Sequence, residues 1–204
     1  MEFDRLEVYA AIDFIQAVIP KDTKTGKNCL FVRVEGDKLI LTGGGEYASK
    51  KVILVSQNTT SGKVKMPERF MIPKADLLAF REVMKEHKAD CKRFPKEDPN
   101  RNLVEITGTE LVSHDSVHSF QQPGYQFKDL EPLFEVKQEP VTEILFKRKE
   151  VIAIFHGFKD SKNVKTTFCG DNGPIHFQEG DFEAILIPPI EKESEGDQTT
   201  IDDE

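Results

Sequence analysis

Cysteine is scarce in this 204-residue chain: Cys29, Cys91 and Cys169 are odd in number and far apart. That scarcity excludes a disulfide framework, and without a C-x-x-C pair there is no usual cysteine spacing for a metal site. Small buried or half-buried thiols are expected instead. Long apolar runs are lacking too, because 31% of the residues are charged and no stretch approaches the ~20 apolar residues of a membrane-crossing helix. The opening MEFDRLEVY has neither a basic leader nor an uninterrupted apolar segment. A secretory signal is therefore not expected, and the cytoplasm is the expected location, with no membrane partner. With 38% hydrophobic residues, the chain is long enough to bury one or two cores.

An excess of basic charge is also missing. The net charge of −8 would ordinarily count against a nucleic-acid partner, so its distribution matters. Residues 191–204, EKESEGDQTTIDDE, hold seven acids and one base, which leaves the first 190 residues with 27 bases and 29 acids. A nearly neutral body can oppose a basic face to an acidic one. The tail has the composition of a solvated, disordered extension.

Catalytic signatures are absent as well. Gly43, Gly44 and Gly45 suggest a phosphate loop, but no GxxxxGK[ST] follows and EYASKKVILV reads as a strand, so a hairpin is expected. His114 and His118 stand four apart in a segment that reads as strand and turn, with no third ligand nearby in sequence. His87, His156 and His176 lie in no nucleophile or triad motif. No enzyme activity, cofactor or metal is expected.

The chain does repeat itself. Residues 32–39, VRVEGDKL, and 104–111, VEITGTEL, share alternating apolar positions around a central glycine at an offset of 72. Each reads as strand, tight turn and strand. A helical pattern precedes each hairpin, with Val8, Ile12, Ile15 and Ile19 on one face of the first, and Leu77, Phe80, Met84 and His87 on one face of the second. A third helix is expected over residues 147–158, with Val151, Ile154, Phe155 and Phe158 on one face, before VKTTFCGDNGPIHFQ. Three units follow, over roughly residues 2–57, 68–120 and 140–190, each a leading strand, a helix and about three antiparallel strands. QQPGYQFKDLEPLFEVKQEP reads as a surface connector. The expected division is a two-unit domain over 1–125, a connector over 126–139, a third unit over 140–190 and the acidic tail over 191–204.

These stretches resemble DNA sliding clamps. EFDRLEVYAAIDFIQAVIP and LFVRVEGDKLILTGG look like the opening unit of the beta subunit of bacterial DNA polymerase III. FMIPKADLLAFREVMKEHKAD is similar to the second strand and helix of the same domain, with Pro73 near the helix start, where its missing N–H costs nothing. FCGDNGPIHF and FEAILIPPI resemble the final strands of bacterial clamps and of trimeric clamps of the eukaryotic and archaeal type, which carry short acidic tails. The resemblance implies an α+β clamp fold of repeated β-α-β-β-β units, with antiparallel sheets and the helices on one face. It implies a non-catalytic processivity factor, a homo-oligomer whose partners are duplex DNA and replication proteins bearing short peptide motifs. Rings in the family total twelve units, from subunits of six or four; three per subunit departs from both. A tetramer would reach twelve, whereas a relative that does not close a ring would serve as an interaction module.

A clamp needs outward basic helix faces that meet phosphates without reading sequence. Lys74, Arg81, Lys85 and Lys88 share a narrow sector of the second helix, while Asp76, Glu82 and Glu86 lie on other faces. In the third helix Arg148 and Lys159 share a sector, with Lys162 nearby and Lys147 and Lys149 to either side. The first helix holds only Arg5, although Lys21, Lys24 and Lys27 follow it. Lys50 and Lys51 open a strand expected to lie away from the channel. The family's peptide pocket maps by resemblance onto Ile187, Pro188, Pro189 and Ile190, with Leu133 and Phe134 of the connector.

Overall fold

The computed structural model describes residues 1–21, 28–45, 48–57, 66–93, 102–113, 116–127, 129–135, 144, 146–158, 161, 163–171 and 173–189, and of 86–93 the backbone alone. Three helices and eleven strands fall within them. In chain order they are β1 (Glu2–Asp4), α1 (Arg5–Gln16), β2 (Cys29–Glu35), β3 (Lys38–Gly44), β4 (Ala48–Val55), β5 (Arg69–Pro73), α2 (Lys74–Arg93), β6 (Leu103–Ile106), β7 (Glu110–Ser113), β8 (Ser116–Ser119), a 3-10 turn (Glu131–Phe134), α3 (Arg148–Gly157), β9 (Lys165–Phe168), β10 (Ile175–Glu179) and β11 (Phe182–Leu186).

Local chemistry sets the ends of α1. The Asp4 carboxylate accepts from the backbone N–H groups of Leu6 and Glu7, at 2.8 and 3.1 Å, which satisfies two otherwise orphaned donors of the first turn. The helix stops at Gln16, short of the expected Ile19, because Pro20 disfavours helical backbone at the residue before it. The tight β2–β3 and β10–β11 hairpins both turn through Glu-Gly-Asp, where Gly36 and Gly180 adopt φ of 61° and 56°. A side chain at either position would be strained, so glycine fixes both turns.

The strands form two antiparallel sheets, one of order β1-β6-β7-β8 and one of order β5-β2-β3-β4-β11-β10-β9. The leading strands are exchanged between units. β1 pairs with β6 of the second unit, and β5 pairs with β2 of the first. The two sequence repeats occupy matching places: Val32 and Val104 lie in the first strand of each hairpin and Leu39 and Leu111 in the second, all buried. The third set of strands extends the first sheet, because β11 pairs antiparallel with β4 from Phe182↔Val52 to Leu186↔Ala48. The sheet therefore continues across the chain from the first unit to the third, while residues 140–143, where the third unit is expected to open with its leading strand, lie outside the described residues.

One face of each sheet carries the helices and the core. Phe3, Val8, Ile12 and Ile15 pack with Leu30, Val32, Leu39, Leu41, Phe80 and Met84. Phe14 of α1 meets Phe158 and Phe182 edge-on, with centroids 5.0 and 5.1 Å away, and so joins the first unit to the third. Two expectations are corrected here. Lys50 is fully buried on the helix-covered face, across from Gly43 and Ala184, whose small size leaves room for its stem. Phe155, expected on the buried face of α3 with Val151, Ile154 and Phe158, is 49% exposed: α3 packs on β11 and β4, and only one side of the Phe155 ring is met, by Phe177 at 5.3 Å.

Candidate nucleic-acid interface

α1 lies in the middle of the helical layer, in contact with α2 on one side and α3 on the other. Where the C-terminal end of α1 meets the first turn of α2 and the face of α3 there is an open cleft of about 390 Å³. Lys21, Lys74, Lys149 and His156 line it with Gln16, Ala17, Leu78, Ile152 and Ala153. Among the described residues no acid lines this cleft, so the field of those residues favours an anion. The Lys74 ammonium donates to the carbonyl of Ile19, in the turn that follows α1. Burial, with Lys21 nearby as a second cause, holds the Lys74 pKa below the ordinary lysine value. Lys21, Lys149 and His156 are exposed.

The basic sector expected on α2 is less available than its spacing implies. The Arg81 guanidinium bonds the Asp13 carboxylate of α1 through two nitrogens, Nε at 3.0 Å. It also meets Glu82 at 2.8 Å and lies 5.4 Å from the Tyr9 ring centroid. Arg81 is thus a bolt between α1 and α2. Lys85 is exposed but stands 3.5 Å from Glu82. Arg148 opens α3 at the surface. The side chain of Lys88, and Lys159, Lys162, Lys24 and Lys27, lie outside the described residues. Of the candidate metal pair, His118 instead meets Asp76 at 3.1 Å and so ties β8 to α2, while His114 lies outside the described residues.

The opposite face of the long sheet is covered by the connector. Gln122 accepts from the Met71 N–H at 2.9 Å and donates to the Gly108 carbonyl at 2.6 Å, bridging the second unit's two halves. Phe127 meets Phe31 edge-on at 5.4 Å, and with Leu130 it covers Cys29, Phe31 and Met71. A chain of half-buried charges then crosses the sheet: Arg33 reaches Asp129 and Glu131 at 3.7 and 3.2 Å, and Lys51 reaches Glu131 and Glu183 at 3.4 and 3.0 Å. His176 adds a contact to Glu183 at 3.2 Å. Burial alone would raise the Glu183 pKa; the hydrogen bonds from His176 and Lys51 outweigh it and hold the carboxyl below its ordinary range.

The connector residues expected to take part in a peptide pocket lie on this face. The 3-10 turn holding Leu133 and Phe134 lies against β11, the strand that leads into Ile187, Pro188 and Pro189. Phe134 is buried with its ring 5.0 Å from the Lys51 ammonium, Leu133 is partly exposed, Pro188 is buried and Ile187 and Pro189 are half-buried. Ile190 lies outside the described residues. The connector and the end of the last strand therefore do come together. Sequence reasoning missed the role of Lys50 and Asp13 as internal ties and of His156 as a cleft residue. Only Lys50 carried a signal, its inward place in the strand alternation.

This arrangement of strands and helices superposes on solved structures over more than nine tenths of the chain. The fold is that of a DNA sliding clamp. Pol III beta of Caulobacter crescentus superposes with a TM-score of 0.68 at 10% identity, over 93% of this chain and 65% of that one. The DNA polymerase III beta subunit of Thermotoga maritima gives 0.64 at 10% identity, over 94% and 64%. The DNA polymerase sliding clamp of Pseudomonas aeruginosa gives 0.68 at 10% identity, over 93% and 66%. This chain thus spans just under two thirds of the length of these clamps. No protein-family model and no curated protein matches the chain in sequence. Among the described residues no helix is long and apolar enough to cross a membrane.

Proposed function

We propose that this clamp-fold protein is a non-catalytic processivity factor of the cytoplasm, which holds replication proteins on duplex DNA without reading sequence. The observation that carries this reading is the cleft of Lys21, Lys74, Lys149 and His156 on the helical layer, which no acid among the described residues lines. In a clamp fold that layer is the side on which a duplex would lie. Phosphate contacts of this kind give affinity and salt dependence but no base preference. Lys85 and Arg148 extend the basic surface to either side, and Lys88, Lys159 and Lys162 are assigned to it by their sequence positions. The junction of Leu133 and Phe134 with Ile187, Pro188, Pro189 and Ile190 is the docking place for short peptide motifs of a polymerase or other replication protein.

A second reading has support from Arg81 and Lys74, whose donors are engaged within the chain. On that reading the protein is a clamp-fold interaction module that binds replication or repair proteins without encircling DNA. Retention on nicked circular and linear duplex separates the two. Encirclement predicts that the protein stays on circles, leaves linear DNA through its ends and is lost from both after Lys21→Glu with Lys149→Glu. Equal retention on circle and line, or no effect of the double reversal, would favour the interaction module.

A further inference from the structure

β4 is longer than the strand that borders it on one side. It pairs with β3 from Gly44↔Ser49 to Lys38↔Val55, but with β11 only from Ala48 to Val52, because β11 begins at Phe182, directly out of its hairpin turn. The Ile53 N–H still reaches the Asp181 carbonyl of that turn, at 3.4 Å, whereas the Ser56 N–H reaches the Asp37 carbonyl beside β3, at 2.8 Å. Successive residues of a strand point their N–H and C=O groups to opposite sides. Ile53 donates away from β3 and Ser56 toward it, so the Val55 N–H and carbonyl also point away from β3. Among the described residues no strand pairs with residues 53–55 on that side.

This open edge borders a groove of about 400 Å³ beside the N-terminal half of α1. The walls are apolar: Leu6 and Ala10 of α1 on one side, Leu54, Val55 and Phe182 on the other. Leu6 is 51% exposed and Val55 47%, so two large apolar side chains meet solvent at one groove. Its charge has one sign. Glu7 and Asp181 line it, both exposed, and no base does so among the described residues. α1 therefore has a basic cleft at its C-terminal end and an acidic groove at its N-terminal end. Two carboxylates on the helical layer repel a duplex, so the groove serves a different partner.

We propose that this groove docks an extended segment of a partner protein in which lysine or arginine stands beside a large apolar residue. The segment's backbone would pair with the open edge at Ile53 and Val55, as an added strand does. Its apolar side chain would lie between Leu6 and Val55 and take both out of water. Its cations would meet Glu7 and Asp181 at the rim, where complementary charge selects the partner and makes binding sensitive to salt. Docking here is independent of the DNA reading and of the connector junction, which lies on the opposite face of the sheet.

The test uses the full chain, isotope-labelled, and a short end-blocked peptide of alternating lysine and leucine, whose period suits a strand. Amide shifts should gather at Ala10, Val55 and Asp181. The dissociation constant should rise at least about tenfold in Leu6→Asp and in Glu7→Gln combined with Asp181→Asn. Peptides with serine for leucine, or glutamate for lysine, should bind the wild type at least about tenfold more weakly. Glu68→Gln with Glu135→Gln removes the same charge from exposed sites outside the groove and should change little. Melts and circular dichroism check each fold; should Leu6→Asp not fold, the Glu7 and Asp181 pair leaves the apolar walls intact and carries the same readout. Absence of binding, shifts centred elsewhere, or affinity that survives the groove variants would overturn the proposal. Equal loss in the Glu68 and Glu135 control would show that net charge alone attracts the peptide, and would overturn it too. Groove shifts produced by a duplex oligonucleotide, or by raising the protein's own concentration, would give the groove another occupant and do the same.

Discussion

The ammonium of Lys50 lies 2.7 Å from the carbonyl oxygen of Ala153, linking a strand of the first unit to the helix of the third. The same ammonium donates to the Phe14 carbonyl at 2.9 Å and sits 4.3 Å from the Phe14 ring centroid. Close approach of α3 makes this possible, since a Cβ at Gly157 would fall 2.2 Å from the Phe14 ring and 2.6 Å from the Lys50 nitrogen. Burial is the main cause of a Lys50 pKa lowered to about 7, against an opposing pull from Asp13. A neutral amine still donates both bonds, so the joint between units outlasts loss of the charge.

That pKa predicts a stability that rises with pH. Between about 7 and 10.5 the unfolded chain binds a proton at Lys50 that the folded chain does not. Folding is therefore opposed in full below the folded pKa and less so as pH climbs through this window, by up to about 1.4 kcal/mol per pH unit. Urea melts at pH 7, 8 and 9 should show the rise in the wild type and a flatter profile in Lys50→Met. Parallel profiles would show that Lys50 keeps its charge in the folded protein.

Glu183 works in the opposite pH range. Its folded pKa lies below the ordinary carboxylate value, so its contribution is complete above the unfolded pKa of ~4.3 and disappears as pH falls through the folded one. Wild-type stability should drop between pH 5 and 3, and Glu183→Gln should drop less. An equal decline in both would place acid sensitivity elsewhere.

Phe14 meets both third-unit rings, Phe158 and Phe182, and carries Lys50 over its face. Phe14→Ala should cost about 3–5 kcal/mol, as for other buried aromatic truncations. It should also loosen the third unit first, read by hydrogen exchange along β11. A loss under about 1 kcal/mol would mean the site collapses around the missing ring.

Alternation made the hairpins legible. Val32 with Leu39 and Val104 with Leu111 repeat at a fixed offset because the same inward positions are filled in each unit. The alternation of β4 also pointed inward at Lys50, between Ala48 and Val52, but lysine chemistry argued for the surface and the pattern was the better guide. Arg81 was not legible at all, since Asp13 is 68 residues away and only tertiary packing brings the two together. The openness of Phe155 was equally hidden, because an apolar pattern records what prefers burial and not whether a neighbour supplies it.

Arg81 then separates spacing from geometry as a guide to DNA contact. By spacing it belongs with Lys85 on a phosphate-facing stripe; by geometry it is spent on Asp13, Glu82 and Tyr9, with little of its side chain exposed. Arg81→Ala would leave the half-buried Asp13 carboxylate without its main partner, so stability should fall by about 1–3 kcal/mol. The salt dependence of DNA retention should stay the same, because no phosphate contact is lost. Lys149→Ala, at the rim of the cleft, should do the reverse: leave the melt unchanged and lower the log–log salt slope by about 0.9 for a lost contact. Measured side by side at several salt concentrations, a slope that falls for Arg81→Ala and holds for Lys149→Ala would show that Arg81 leaves Asp13 for phosphate and that the cleft is not where DNA lies.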